Sequence, residues 1–208
     1  MNETSLAIPR AARPLAAALA VAALAVVSTA SAQTPPKKTQ EQRKALQEAH
    51  KGDFDYLLGD WQFTADNKQY GKSNGRWSAV RLATGQILDE YRLVDDKGAT
   101  FYVTATIRNY DVAHDRWELI GMDDRNGLQD FGTAQRVGQE MRIEQKFGVS
   151  GGSPTIMRIR YYNITANSFS WAGDQSTDNG KTWVKDHIRI EAKRIGPART
   201  LPQLAKTK

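Results

Sequence analysis

From residue 60 onward, apolar and polar side chains alternate in short runs, and turn residues interrupt them at intervals of about ten residues. Period two sends neighbouring side chains to opposite faces of a strand, so each run reads as a half-buried β-strand. The pattern predicts strands over 60–66, 74–83, 86–94, 99–110, 116–122, 128–136, 139–147, 154–163, 168–175 and 182–194. The connections carry turn chemistry: Asn74-Gly75, Thr84-Gly85-Gln86, Asp95 to Gly98, Asp123 to Gly127, Gly138-Gln139 and Asp178-Asn179-Gly180. Ten short strands with no helix between them imply antiparallel neighbours. Closing such a sheet removes its exposed edges, so the expected fold is all-β, a single antiparallel up-and-down barrel. A two-sheet sandwich is the second choice.

Two stretches precede the strands. Thr39-Gln40-Glu41-Gln42 fits a capping box, and 40–50 reads as a short helix with a thin stripe of Ala45, Leu46 and Ala49, ending at Gly52. His50 beside that stripe reads as a surface residue. Phe54-Asp55-Tyr56-Leu57-Leu58-Gly59-Asp60-Trp61 has too short an apolar run for a helix, and Gly59 permits a turn before Trp61 opens the first strand. The expectation is a plug, with the Trp61 indole closing one end of the barrel.

The N-terminus changes the picture of where the protein works. Arg10 and Arg13, the apolar run from Leu15 to Val27, and Ala30-Ser31-Ala32 are arranged as in an export signal covering 1–32. The run is shorter than the ~20 residues that cross a bilayer. The mature chain is expected to start at Gln33, without an integral membrane segment, in the periplasm or secreted. About 176 residues then remain, one domain's worth. Residues 33–52 read as polar linker and helix, 53–194 as the barrel, and 195–208 as a basic tail.

Charge and chemistry narrow the function further. The net charge of +6 is uneven: the body, 53–192, sums to −3, while 33–52 carries +3 and 193–208 carries +5. No Lys/Arg stripe interleaves with aromatics, so no nucleic-acid partner is expected. The chain has no cysteine, which removes disulfides, thiolate metal sites and thiol nucleophiles. Nucleophile-elbow, phosphate-loop, H-E-x-x-H and dinucleotide signatures are absent. The histidines are His50, His114 and His187. His114 belongs to a turn, and His187 on the last strand is the one candidate for a general base or a haem ligand.

Gly59-Asp60-Trp61 resembles the G-x-W signature of the calycin superfamily, the lipocalins and their relatives. Together with Gln175 to Trp183 before the last strand, Phe54 to Trp61 is similar to a family of bacterial exported calycin-like barrel domains, DUF1579-like. The resemblance runs over about 53–194 and implies a ligand-holding barrel without catalytic residues. It also implies that a basic side chain of the final strand, Arg189 or Arg194, stacks on Trp61. A haem ligated by His187 would resemble nitrobindin-like barrels. Ser176-Thr177-Asp178-Asn179-Gly180-Lys181-Thr182-Trp183 also matches the Asp-box pattern of sialidases, where the motif is a structural hairpin turn. Asp174, Asp178 and Asn179 are a weak Ca²⁺ set that the turn itself explains.

The cavity lining is where the pattern is ambiguous. Ile87, Asp89, Tyr91 and Leu93 share one face, Leu88, Glu90 and Arg92 the other, and neither is purely apolar. Ile156, Arg158, Arg160 and Tyr162 oppose Met157, Ile159 and Tyr161. In one reading, Glu90, Arg92, Arg158 and Arg160 face a cavity beside Trp77, Phe101 and Tyr162 and bind a small, partly apolar or amphipathic ligand, anions included. In the other they pair across strands in solvent. The expected function is a binding barrel with no cofactor. The alternatives are an enzyme using polar cavity groups, or an interaction module acting through the basic tails.

Overall fold

The computed structural model describes residues 37–201, so the expected export signal and the end of the tail, 202–208, lie outside the described residues. Helix α1 (Gln40–His50) starts at Thr39, whose hydroxyl accepts the Gln42 N–H while the Gln42 side chain accepts the Thr39 N–H. Its apolar stripe is used, for Leu46 packs on the core. His50 is half-buried rather than a plain surface residue: it stacks on Tyr110 with ring centres 4.7 Å apart, and its Nδ1 lies 2.8 Å from Asp53.

After a single 3-10 turn at Asp55–Leu57 come ten long strands: β1 (Gly59–Asn67), β2 (Gly71–Arg81), β3 (Ile87–Val94), β4 (Thr100–Asp111), β5 (Arg116–Asp123), β6 (Gly127–Val137), β7 (Glu140–Phe147), β8 (Thr155–Tyr162), β9 (Ser168–Ser176) and β10 (Val184–Gly196). Each pairs antiparallel with the next, and β1 pairs with both β2 and β10, which closes the ring. The up-and-down barrel expected from alternation is the fold, and the sandwich is excluded.

The plug is real. Phe54, Leu57 and Trp61 are completely buried, and the Trp61 indole N–H donates to the Leu57 carbonyl at 2.8 Å. Of the two arginines proposed to cover Trp61, it is Arg194 that stacks, 4.1 Å from the ring centre, and its guanidinium also donates to the carbonyls of Tyr56, Leu58 and Ala166. Gly59 has φ of +108°, and a side chain there would collide with the Arg194 guanidinium and the Gly196 carbonyl. The turn that starts β1 therefore needs glycine for two reasons at once.

The boundary drawn at residue 194 moves outward. Ile195 and Gly196 finish β10, and a two-residue strand, β11 (Arg199–Thr200), adds in parallel to β2. Arg199 reaches Asp60 at 2.5 Å and Ser78 at 2.8 Å. Arg199, assigned to the basic tail, is thus tied into the barrel, which weakens the interaction-module reading.

The Asp-box turn is structural, as its chemistry suggested. Asp178 accepts from Ser176, from the Thr182 N–H at 2.9 Å and from the Thr182 hydroxyl at 2.6 Å, while the Trp183 indole donates to Gly180 O. Those donors, Thr182 foremost, hold the Asp178 carboxyl down at about 2. Asp174 works elsewhere, taking Lys185 and the Asp186 N–H, so the two carboxylates do not converge.

Candidate functional site

The barrel encloses a cavity of about 630 Å³, closed at one end by the Phe54–Trp61 plug. At the other end it opens between Tyr70 of the β1–β2 turn with Lys72 at the start of β2, and Phe101 and Phe147. The interior faces of the strands supply the wall: Trp77, Tyr91 and Leu93 from β2 and β3, Ile143 and Ile159 from β7 and β8, Trp171 from β9, and Ile188 and Ile190 from β10. Rings meet at right angles or in stacks, Phe63 on Tyr91 at 4.8 Å and Trp77 on Tyr91 at 5.4 Å. Such contacts hold the wall rigid while leaving the central space free.

Set into this wall are three charged groups. Asp89 is buried and accepts the Trp77 indole N–H at 2.8 Å, and its other oxygen pairs with the guanidinium of Arg108, equally buried. The Arg108 guanidinium also lies 5.3 Å from the centre of the Phe54 ring, so the plug and the ion pair support each other. The nearby Arg108 charge favours ionisation of Tyr161, yet burial dominates and pushes its phenol up to about 12. The third group is Asp130, only 5% exposed. Burial raises its carboxyl to about 6 against the opposing pull of Arg108, and no hydrogen bond supports it. Its place depends on Gly121, its cross-strand partner: a Cβ there would sit 2.2 Å from an Asp130 oxygen. Glycine on β5 makes the room that the β6 carboxylate fills.

Of the residues expected to line the site, Trp77 and Phe101 do, Trp77 deep inside and Phe101 at the mouth, 47% exposed. The expectation that Glu90, Arg92, Arg158, Arg160 and Tyr162 face inward is corrected: all five lie on the outer face. Arg92 pairs with Glu90, Arg158 with Glu144 at 3.0 Å, and Arg160 with Asp186 at 2.8 Å while lying over the Tyr162 ring. Arg158 also stacks on Trp183 at 4.1 Å. The reason is that Asp89/Tyr91 and Met157/Ile159/Tyr161 carry more ring and hydrocarbon, and their strand faces win the interior.

His187 does not support the haem or general-base alternative. It is buried at the irregular start of β10, where the pairing with β9 shifts, and it is not among the residues lining the cavity. Burial and nearby Lys68 lower its imidazole from the ordinary value, favouring the neutral ring. At the plug end, Asp111, His114 and Glu118 cluster on the surface, but Asp111 is already engaged by the Ala113 and His114 N–H groups of its own turn. Among the described residues, no helix is long and apolar enough to cross a membrane.

Arg108, Asp89 and Asp130 were not singled out by the sequence. Asp89 was placed on the correct face with Tyr91, and Arg108 shares its face of β4 with Thr106 and Tyr110, so both were reachable by extending the period-two reading. Asp130 was not, because β6 slips by one residue against β5 between Gly121 and Met122 and both Gln129 and Asp130 are buried.

No protein-family model matches the chain, and no curated protein is similar to it. Among solved structures, a redesigned β-barrel is similar over 68% of this chain and 93% of its own, at 12% identity and a TM-score of 0.36. Another redesigned barrel, mFAP1 bound to DFHBI, matches over 68% of this chain and 96% of its own at 12% identity and a TM-score of 0.36. A third, EF1p2_mFAP2b bound to DFHBI, matches over 70% and 98% at 14% identity and a TM-score of 0.34. Overlap at this level is a likeness between barrels and says nothing of what this one holds.

Proposed function

We propose that this chain is an exported barrel, periplasmic or secreted, that binds a small, partly apolar ligand in its cavity. The observation that carries the reading is the cavity itself: about 630 Å³, walled by aromatic and aliphatic side chains, plugged at one end and open at the other. That volume falls within the range of small-molecule sites, and a few inward polar groups among rings are what fixes a ligand's orientation. A side-chain-filled core would leave no such space, since protein interiors pack to crystal density.

The test is a fluorescence titration of the protein with naphthylmethanol, a neutral aromatic probe that fits the space, read through quenching of the tryptophans, of which Trp77 and Trp171 line the cavity. Saturable binding is expected, and Ile159→Trp, which sets an indole into the cavity from its wall, should weaken it while the fold survives. Binding that persists undiminished in Ile159→Trp would place the probe on the surface and remove the reading.

A further inference from the structure

We infer that the cavity takes a small organic cation, an amine or amidine with an apolar body, its charge set against the Asp130 carboxylate. This rests on the binding-barrel reading and names the ligand class for it. The cavity's charges do not balance. Asp89 and Arg108 neutralise one another, and Asp130 has no such partner. Neither Asp130 oxygen accepts a hydrogen bond from the described residues, although the group is 5% exposed and lines the void. A buried carboxylate in that state is costly unless something brings it a donor or a positive charge. Gly121 has given up its own side chain to let the carboxylate sit there.

The opposite choice, an anionic ligand on Arg108, is disfavoured by where that guanidinium spends its donors. Nη1 faces Asp89, Tyr161 and the Phe54 ring lie beside the group, and Nε is sealed from the void with no acceptor. The wall also suits a cation. Trp77, Tyr91, Tyr102, Phe147, Tyr161 and Trp171 all line the same space, and ring faces attract ammonium and guanidinium groups.

Binding of a protonated amine needs Asp130 ionised. The charged and titratable side chains around it are Arg108 and Tyr102 of β4, Asp89 of β3, Asp123 of β5 and Tyr161 of β8, with Lys72 at the mouth. The tyrosines stay neutral because burial raises them all. With the Asp130 carboxyl raised to about 6, the preference for an amine should be full near neutrality and fade as pH falls through that value. For the free protein the sign is opposite. A raised carboxyl favours the folded state at low pH and costs stability as pH rises past the unfolded value, so Asp130→Asn should melt higher than the parent at neutral pH and equal to it near pH 4.

The experiment compares three probes of one shape, naphthylmethylamine, naphthylmethanol and naphthoate, by titration against the parent protein and Asp130→Asn. Expected is an amine affinity at least about tenfold above that of the alcohol at neutral pH, with naphthoate weakest. Asp130→Asn should erase the amine's advantage and leave the alcohol within about twofold. If the alcohol binds but the amine is no better, if naphthoate is preferred, or if Asp130→Asn keeps the amine preference, the inference is overturned while the binding barrel stands. If none of the three enters the parent protein, the binding barrel falls and takes the inference with it.

Discussion

Replacing Trp61 by alanine is expected to remove about 3–5 kcal/mol of stability, measured by urea unfolding. The ring is fully buried, lies 4.8 Å from Phe169 and supports the Arg194 guanidinium on its face. Truncation would empty the centre of the plug, orphan the Leu57 carbonyl that accepts the indole N–H, and leave a half-buried arginine without its platform. Each loss is of order 1 kcal/mol or more, and the cavity adds to them. A loss below about 1 kcal/mol would mean the floor of the barrel closes without this ring.

The second large effect belongs to Asp89. Asp89→Ala should destabilise by about 3–5 kcal/mol, because it leaves the Arg108 charge buried and unpaired and strips the Trp77 N–H of its acceptor. The double variant Asp89→Leu with Arg108→Met should recover most of that loss, since a buried ion pair replaced by hydrocarbon of similar volume is often neutral or better. A double variant as unstable as the single one would show that the pair matters for shape rather than charge. The contrast with the outer pairs is part of the prediction. Breaking Arg158–Glu144, exposed on both sides, should change stability by less than about 1 kcal/mol.

These expectations separate what the sequence states from what it conceals. Alternation located all ten long strands to within about three residues, because one face of each is buried and period two is hard to mistake. The plug was legible in Phe54 to Trp61 because a short apolar run, a glycine and a tryptophan leave few other arrangements. Which face of a strand turns inward was harder wherever both faces carry charge. Along β3, Asp89 opposes Glu90 and Arg92: those two pair with each other outside, while Asp89 meets Arg108 inside, two strand positions beyond its register mate. On β8, the arginines found carboxylates outside, on Glu144 and Asp186, that no single-strand reading could place. Outward apolar residues such as Ile107, Ile120 and Phe131 blur the contrast between faces further. Asp130 was hidden by the register slip beside Gln129, and β11 by its length, since two residues in parallel pairing leave no period to read.

Whether the cavity is a binding site is decided most directly by native mass spectrometry of the protein purified from its own host, beside Ile159→Trp prepared in the same way. The parent should carry a small organic adduct, released on unfolding, that is depleted in Ile159→Trp. A parent found only at its bare chain mass, or an adduct retained equally by the cavity-narrowed variant, would contradict the account.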